Sequence, residues 1–407
     1  MKITVWGINY APELTGIAPY NTELCEFLSH QGHDVEMVTT FAYYPSWRKS
    51  AEDFGAAFRT DVRAGVKIRR CWHFVPSEVR AWKRIVHEGS FVLFSFFRLL
   101  GMERPDVLVV VSPPLLLGAA AWLVGCLKGT RFVFHVQDLQ PDAATGLGMI
   151  QQGAFLKLLY RIELFAYRKA ALVSAISFGI IEAIAKKGIA SEKIIYFPNG
   201  VRLPETKSLP KRGCFRKAHR LEADEFLVVY SGNLGMKQGL EVALHAASLL
   251  TQRNIRLVIC GDGAHRGKLT ELLCELNLTN VLMLPIQPET AYREMLVDAD
   301  LCLITQQAGS GSFFFPSKLL SVLAFAKPVV CVSDGDSELA AMASQYHFGI
   351  NVPPQEPELL AICIQELAGD AAALSRMAQA GLGFVKRFDM EEVLSEFERR
   401  LQSFARN

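Results

Sequence analysis

A glycine-rich turn followed by a lysine is the segment whose residue types are best suited to hold a phosphate group. It reads Tyr230-Ser-Gly-Asn-Leu-Gly-Met-Lys237-Gln-Gly239, after a predicted strand and before a predicted helix. Glycine lets the backbone approach an anion, the start of a helix favours negative charge, and Lys237 adds a positive charge. The P-loop pattern G-x-x-x-x-G-K-[ST] is absent. We predict a diphosphate site on this turn, with a purely structural turn as the alternative.

Two further segments offer candidate phosphate contacts. Gly261-Asp262-Gly263 is a second glycine turn at the end of a predicted strand, and packing explains it equally well. Lys318 stands in the first turn of a predicted helix, 319–326, after a loop that ends in Pro316 and Ser317. A cation is unfavourable in that position unless an anion lies beside it. The alternative for Lys318 is a solvated side chain.

In the first half of the chain, a loop and a histidine are the candidate ligand groups. Loop 9–20, which contains Gly16, follows the first predicted strand and precedes a helix, so its N–H groups could receive an anion. The loop lacks G-x-G-x-x-G, which argues against a nicotinamide-binding domain. His135 ends a predicted strand, where its ring would point into the cleft and could form a hydrogen bond to a substrate hydroxyl. Asp138 follows it as a candidate residue of the cleft, and a structural role for His135 is the alternative.

Metal and disulfide chemistry have weak signals. Two D-x-D triplets, Asp298-Ala-Asp300 and Asp334-Gly-Asp336, could hold a divalent ion on a diphosphate. The first adjoins an apolar strand and the second lies in a turn, so we expect no metal and no cofactor. The nine cysteines are scattered without a C-x-x-C pair, which indicates reduced thiols in a cytosolic protein.

The elements that position these residues follow an α/β pattern. Short apolar strands alternate with amphipathic helices, first over 1–200 and again over 223–388, which predicts two doubly wound parallel sheets. The Pro- and Gly-containing stretch 201–222 is predicted to be a linker and lead-in. Residues 389–407 are predicted to form a C-terminal helix that returns to the first domain. Ligands bind such sheets at the carboxyl ends of the strands, so the cleft between the domains is the expected site.

Composition excludes several protein classes. Of 407 residues, 50% are apolar and 21% are charged, which is too apolar for a disordered chain. An isoelectric point near 8.0 is too low for a dedicated DNA binder, so we expect no nucleic-acid partner. The uncharged run 107–127 is long enough to suggest a membrane span. Pro113 and Pro114 interrupt it, so strand, loop and helix is the preferred interpretation.

Taken together in their order and spacing, these motifs have a specific resemblance. The sequence resembles retaining family 4 glycosyltransferases of the GT-B fold over nearly its whole length, and within them the colanic-acid-type exopolysaccharide enzymes of bacteria. The segments that carry the resemblance are Gly7-Ile-Asn-Tyr-Ala-Pro-Glu-Leu-Thr-Gly16, Gly32-His-Asp-Val, Tyr43-Tyr-Pro, His135-Val-Gln-Asp138, Phe197-Pro-Asn-Gly200, the turn 230–239, and Pro316-Ser-Lys318 with Lys327-Pro-Val.

The resemblance implies roles for individual residues. Residues 1–200 would form the acceptor-side domain and residues 223–388 the nucleotide-sugar domain. His135 would contact the transferred sugar, and Lys237 would serve catalysis as well as donor binding. The implied donor contacts are Gly16, Gly232, Asn233, Lys237, Gly261, Ser317, Lys318, Ser321 and Glu338.

The sequence departs from the family pattern at three positions. The family usually has Arg where this chain has Asn233, and Lys318 could supply the missing charge. Phe313 and Ser321 stand where the family has the paired glutamates of E-x7-E. Ser321 could give one hydrogen bond to a ribose but not a carboxylate contact, and Glu338 is the nearest later carboxylate.

The implied reaction moves a sugar from a nucleotide diphosphate sugar to the hydroxyl of a lipid-linked acceptor, with retention. Fixed N–H groups and Lys237 would stabilise the departing diphosphate. The alternatives are a non-catalytic sugar-nucleotide-binding subunit of a polysaccharide assembly complex, suggested by Phe313 and Ser321, and a sugar-nucleotide epimerase without a redox cofactor.

The nearly neutral total charge conceals a basic region. Residues 59–104 hold ten Lys and Arg against four Asp and Glu, interleaved with aromatic residues. Basic residues attract anionic headgroups and aromatic rings settle at the interface. We therefore predict a cytoplasmic protein held peripherally on the inner face of the cytoplasmic membrane through Arg80, Trp82, Lys83 and Arg84. An ordinary core helix with a solvated end is the alternative.

Overall fold

The chain forms two compact units. Unit 1 comprises residues 1–199 and 392–407, and unit 2 comprises residues 200–391. The structure, a computed structural model, describes residues 1–78, 81–146, 153–205, 209–252, 254–309 and 318–406. Each unit is a helix-covered β-sheet, as the alternation of strands and helices predicts.

Unit 1 contains a sheet with the strand order β3-β4-β2-β1-β5-β6-β7-β8. The strands are β1 (Lys2–Trp6), β2 (Asp34–Thr40), β3 (Phe58–Arg63), β4 (Val66–Cys71), β5 (Val107–Ser112), β6 (Phe132–Val136), β7 (Leu172–Ala175) and β8 (Ile194–Tyr196). The helices are α1 (Ala18–His30), α2 (Ala81–Leu100), α3 (Leu116–Lys128), α4 (Gln140–Gly146), α5 (Ala154–Lys169) and α6 (Phe178–Lys186). The strand–loop–helix interpretation of 107–127 is confirmed by β5 and α3.

Unit 2 contains a parallel sheet with the order β11-β10-β9-β12-β13-β14. Its strands are β9 (Phe226–Asn233), β10 (Ile255–Asp262), β11 (Val281–Leu284), β12 (Leu301–Thr305), β13 (Val329–Val332) and β14 (Gly349–Val352). Its helices are α7 (Cys214–Ala218), α8 (Glu241–Leu249), α9 (Arg266–Glu275), α10 (Glu289–Asp298), α11 (Lys318–Ala324), α12 (Glu338–Tyr346), α13 (Pro357–Gly369) and α14 (Ala371–Val385). The last helix of the chain is α15 (Met390–Arg406).

The central strands are buried because helices cover both faces of a parallel sheet. Every residue of β5, β6, β12 and β13 is buried. The carboxyl ends of the parallel strands share one edge of each sheet, and that edge carries the loops that hold the candidate ligand residues.

The C-terminal segment belongs to unit 1. Phe397 on α15 stacks on Phe197, with ring centroids 3.8 Å apart. Arg131 donates to the carbonyl of Phe404 at 2.6 Å, and His33 pairs with Glu398 at 2.9 Å. Because residues so distant in sequence pack together, the last helix is part of the first unit's core.

The stretch 201–222, predicted to be a linker, is packed into unit 2. Val201 forms a parallel bridge with Asp389, and α7 lies within the stretch. Arg216 is buried, and its guanidinium donates to a carboxylate oxygen of Asp300 at 2.7 Å. The basic composition of the stretch reflects this internal pairing as well as solvent exposure.

Candidate functional site

The predicted phosphate turn lies at the carboxyl edge of the unit 2 sheet. Strands β9 and β10 run parallel, with Gly232 opposite Gly261 and Asn233 opposite Asp262. A Cβ atom on Gly261 would stand 1.8 Å from the carbonyl oxygen of Gly232. The backbone N–H of Leu234 donates to the carbonyl of Asp262 at 2.8 Å. The two glycines thus allow the strand ends to approach each other and fix the start of the turn.

Lys237 is placed by contacts of its own backbone. It lies in a short 3₁₀ turn, Met236–Gln238, and its carbonyl accepts the N–H of Gln307 at 2.8 Å. Gly239 closes the turn with φ +54°, and a Cβ there would stand 3.2 Å from Cα of Gln307. The loop after β12 therefore supports the turn, and the Lys237 side chain is half-buried beside it.

Lys318 lies against the same turn. A Cβ atom added to Gly232 would stand 2.6 Å from Cε and 2.7 Å from Nζ of Lys318. The ammonium sits 4.1 Å from the ring centroid of Tyr230 and donates to the Tyr230 hydroxyl. Loss of water around this half-buried group lowers the pKa of Lys318 to about 7. The structure thus places the side-chain amine of Lys318 beside the glycine turn.

Three further residues near this edge were not predicted from the sequence to contribute to the site. Tyr230 lies within an apolar strand pattern, yet its hydroxyl donates to the carbonyl of Asn233 at 2.8 Å. Thr305 ends β12, and its buried hydroxyl oxygen has no hydrogen-bond partner among the described residues. Arg266, at the start of α9, donates to the carbonyl of Gly261. A polar residue at the end of an apolar strand was the available signal for Tyr230 and Thr305.

The remaining predicted donor contacts are placed less directly. Ser317, like Phe313, lies outside the described residues. Ser321 is half-buried on α11, three residues after Lys318, so both lie on the same side of that helix. Glu338 lies in the first turn of α12, after β13. The structure therefore brings together Gly232, Asn233, Gly261 and Lys318, while Ser321 lies further along α11 and Glu338 lies on α12.

The side chain of His135 lies in the interior of unit 1. It is buried at the end of β6, its Nδ1 lies 2.9 Å from the Ser174 hydroxyl, and its Nε2 lies 2.8 Å from the Gln137 amide. Burial lowers its pKa to about 3, so the imidazole is neutral near pH 7. Both ring nitrogens therefore have protein partners, and a contact between this ring and a ligand stays a prediction. The side chain held next to it, Gln137, pairs with Asn199 at 3.1 Å.

The loop with Gly16 is braced from within. Gly16 has φ +68°, a left-handed conformation that favours glycine. Glu13 is buried, and one of its carboxylate oxygens accepts the N–H groups of Tyr43 at 2.8 Å and Tyr44 at 2.9 Å. Burial raises the pKa of Glu13, although these bonds oppose the shift. This carboxylate ties the loop after β1 to the loop after β2, and Asp138 lies half-buried after β6 at the same edge.

The D-x-D carboxylates have structural partners. Asp298 accepts the backbone N–H groups of Gly213 and Arg216, and Asp300 accepts from Arg216 and from the N–H of Leu227 at 2.9 Å. In the second triplet, Asp334 accepts the N–H of Gly309 at 2.7 Å. No group of three or more metal-ligating side chains occurs in the described ranges.

The predicted membrane residues lie at the start of α2. Trp82 is 60% exposed, Lys83 lies 4.0 Å from Glu78, and Arg84 lies 3.8 Å from Glu88. Arg80 lies outside the described residues. None of the helices in the described parts of the chain is both long and apolar enough to cross a bilayer.

Two known protein families match successive parts of the chain. Residues 15–200 match the family "Glycosyl transferase 4-like domain", and residues 212–383 match "Glycosyl transferases group 1". The chain is 32% identical over 406 residues, covering 98% of both chains, to an Escherichia coli K12 protein provisionally named colanic acid biosynthesis glycosyl transferase WcaI. The chain belongs to the family 4-type glycosyltransferases.

Solved structures of glycosyltransferases share the fold. Sucrose-phosphate synthase from Thermosynechococcus elongatus aligns with a TM-score of 0.78 at 18% identity, covering 100% of both chains. HepE of Anabaena, solved in complex with UDP-glucose, aligns with a TM-score of 0.71 at 16% identity, covering 99% of this chain and 100% of that one. This glycosyltransferase therefore has the predicted GT-B fold.

Proposed function

We propose that this glycosyltransferase transfers a sugar from a nucleotide diphosphate sugar to a hydroxyl of a lipid-linked acceptor, with retention, in the synthesis of a colanic-acid-like exopolysaccharide. The observation that carries the proposal is the edge of the unit 2 sheet, where Gly232 and Gly261 leave bare backbone beside Lys318. The adjoining turn carries Lys237. The full-length relationship to the colanic acid protein and the UDP-glucose bound by HepE support the donor class and the pathway.

The chemistry required at this edge is electrostatic. The diphosphate gains negative charge as the sugar departs, so fixed N–H groups and cations stabilise the transition state more than the ground state. Lys237 and Lys318 would supply the positive charge. Attack on the same face of the sugar, with the departing phosphate taking the acceptor proton, would give retention without a metal or another cofactor.

His135 is proposed to act through its neighbour rather than on the sugar itself. Its neutral ring holds the Gln137 amide at 2.8 Å, and that amide also pairs with Asn199. An imidazole that is buried, neutral and hydrogen-bonded at both nitrogens is a poor general base, because protonating the ring in this environment is costly. His135 is therefore a positioning residue in the proposal, and Asp138 stays a candidate on the acceptor side.

Thermal unfolding with a panel of nucleoside diphosphates tests the donor site. A ligand at 100 times its dissociation constant adds about 2.7 kcal/mol, which for a unit of this size is a Tm increase of about 5–10 °C. Lys237→Ala should lose most of that increase. Lys268→Ala, an exposed lysine on α9 of the same unit, is the matched control and should keep it. The proposed donor class is wrong if no nucleoside diphosphate stabilises the wild-type protein.

Membrane attachment is proposed for the outer face of unit 1, formed by α2, α3 and α5. Helix α3 packs against both of the others, and Trp122 on α3 meets Phe165 on α5 with ring centroids 5.1 Å apart. The exposed large apolar side chains on these helices are Trp82, Ile85, Val86, Leu93, Phe97, Leu116, Trp122, Leu123, Leu127, Phe155 and Leu158. This surface extends well beyond the four residues predicted at the start of α2.

The charge on this face suits an anionic bilayer at the inner side of the cytoplasmic membrane. Helix α5 exposes Lys157, Arg161, Arg168 and Lys169, whereas its one acidic residue, Glu163, is buried against Lys187. Each basic residue near an anionic surface contributes about 1 kcal/mol, and apolar groups that enter the interface add to it. The internal pairs of Lys83 and Arg84 reduce what those two residues contribute.

Vesicle co-sedimentation tests the attachment. Leu123→Gln with Leu127→Gln should reduce binding to phosphatidylglycerol vesicles at least tenfold, since both side chains are exposed on α3. Leu359→Gln, an equally exposed leucine on α13 of unit 2, should leave binding unchanged. Equal binding by the α3 double variant and the wild type would refute this face as the attachment surface.

A further inference from the structure

The side chain of Lys318 is held between two groups that belong to the same strand. Its ammonium lies over the ring of Tyr230 and donates to the Tyr230 hydroxyl, while its last methylene groups fill the space that a side chain at 232 would occupy. The Tyr230 hydroxyl in turn donates to the carbonyl of Asn233 at 2.8 Å. A continuous chain of contacts therefore runs from the ammonium to the backbone of the glycine turn.

This arrangement is unusual for a lysine. A buried or half-buried ammonium ordinarily finds a carboxylate, because the charge is costly to remove from water. Among the described residues, no carboxylate lies within ion-pair distance of Lys318, and its recorded partner is the hydroxyl of Tyr230. That hydroxyl donates its hydrogen to the carbonyl of Asn233, so a lone pair of the hydroxyl oxygen accepts a hydrogen bond from the ammonium. Within the described part of the chain, the Lys318 ammonium thus has no counter-anion.

We infer that Tyr230 positions Lys318 beside Gly232 so that a phosphate oxygen of the bound nucleotide becomes the anion that pairs with Lys318. The inference deepens the proposed function and rests on it. In the absence of nucleotide, the ammonium is kept on the Tyr230 hydroxyl; when a diphosphate binds the turn, the ammonium bonds the phosphate without a large movement. Lys318 thereby takes the place of the basic residue that Asn233 does not supply, and Tyr230 is a positioning residue.

The charge state of Lys318 gives the inference a separate signature. The pKa of this ammonium is lowered to about 7 because it has lost water, whereas a phosphate beside it would raise the pKa again. Nucleotide binding above pH 7 would therefore take up a proton. In the described part of the chain, Tyr230 on β9 is the titratable group in contact with the ammonium. Burial raises the pKa of Tyr230 well above the pH range of this experiment.

The test is a double-mutant cycle on the full-length protein, with UDP and GDP as probes and affinity measured by calorimetry. Lys318→Met should weaken binding about 10- to 100-fold, the effect of losing a charge-assisted hydrogen bond. Tyr230→Phe keeps the ring but loses the hydroxyl, and should weaken binding about 3- to 10-fold. The double variant should bind within about twofold of Lys318→Met, because Tyr230 acts through Lys318.

Two controls keep structural effects apart. Tyr167→Phe removes a buried tyrosine hydroxyl in unit 1, where it donates to Glu163, and should leave nucleotide affinity unchanged. Lys327→Met removes a second lysine with a lowered pKa, whose ammonium donates to the carbonyls of Val297 and Ala299. That variant should lose stability but not affinity, measured below its Tm.

The pH series separates the possible outcomes. The ratio of wild-type to Lys318→Met affinity should fall about tenfold per pH unit above the pKa of free Lys318, because the wild type must then bind a proton. Additive effects of the two substitutions would overturn the positioning role. An unchanged ratio between pH 7 and 9 would overturn the proton uptake, and either result would leave the donor site intact. Wild-type protein that binds neither nucleotide would instead overturn the proposed function.

Discussion

Replacing Gly232 with alanine should weaken nucleotide binding while leaving the protein folded. The new Cβ would stand 2.6, 2.7 and 2.9 Å from Cε, Nζ and Cδ of Lys318. Two carbon atoms in ordinary contact are about 3.5 Å apart, so the end of the Lys318 side chain has to move away by about 0.9 Å. The obstructing atoms belong to the flexible end of a side chain, so the clash itself is relieved cheaply. The ammonium, however, leaves its position beside the turn.

The backbone adds a second, moderate effect. Gly232 has φ +141°, which side-chain-bearing residues rarely adopt. Strain of this kind costs about 1–3 kcal/mol, which for a unit of about this size lowers Tm by roughly 2–10 °C. Nucleoside diphosphate affinity should fall about tenfold, since a displaced cation loses a charge-assisted hydrogen bond of at least about 1.4 kcal/mol.

Gly261→Ala is the informative contrast. Its Cβ would stand 1.8 Å from the carbonyl oxygen of Gly232, and backbone of a buried strand cannot move aside as a side chain can. This variant should lose far more stability, seen as a larger fall in Tm or as insoluble protein. Calorimetric titration of folded Gly232→Ala with nucleotide decides the question. Wild-type affinity in that variant would refute the conclusion that Lys318 and Gly232 form part of the donor site.

Further predictions concern stability, metals and pH. Asp300→Ala should destabilise unit 2 by about 3–5 kcal/mol because it leaves the buried guanidinium of Arg216 without its carboxylate, and urea unfolding measures the loss. Wild-type Tm and nucleotide affinity should be the same with EDTA as with magnesium; a large fall with EDTA would contradict a metal-free site. The pKa of His135 is about 3 in the folded protein against about 6.5 when unfolded, so the unfolded state binds the extra proton between these values. The contribution of the neutral ring to the free energy of unfolding should therefore be fully present above pH 6.5 and be lost as the pH falls toward 3. In His135→Gln the free energy of unfolding should fall less steeply, with a slope that differs by up to about 1.4 kcal/mol per pH unit. Parallel slopes for the two proteins would contradict the buried neutral ring.

The sequence predicted the central strands well because they are buried on both faces. Apolar runs such as 107–111 and 301–305 leave few alternatives once proline and glycine bound them. Strand β3 could not be predicted in this way, because its sequence Phe-Arg-Thr-Asp-Val-Arg contains no apolar run. An edge strand is half solvated and is held by its hairpin with β4, so its pattern carries little signal. Strand β14, with four residues at the edge of the unit 2 sheet, is equally difficult to predict.

The candidate site was predictable where the backbone alone defines it. Gly232, Gly261 and Lys237 were found from glycine spacing and position after a strand. The burial of His135 was not predictable, because Phe397, from the last helix of the chain, packs within 6.5 Å of its ring. Tyr230 was equally hidden, since its role depends on a lysine that lies far along the chain and is brought to it only by the fold.

Sugar transfer to a lipid can be measured with membranes as the source of the acceptor. Membranes from a bacterium that makes a colanic-acid-like polysaccharide are incubated with the purified protein and a panel of radiolabelled nucleotide sugars. Lipid-extractable label is then counted. We expect one donor to label the lipid fraction and nucleoside diphosphate to be released in equal amount. Lys237→Ala should abolish both the labelling and the release. Nucleotide sugar that binds the protein but never labels an acceptor or releases nucleoside diphosphate would contradict catalysis and favour a non-catalytic sugar-nucleotide-binding subunit.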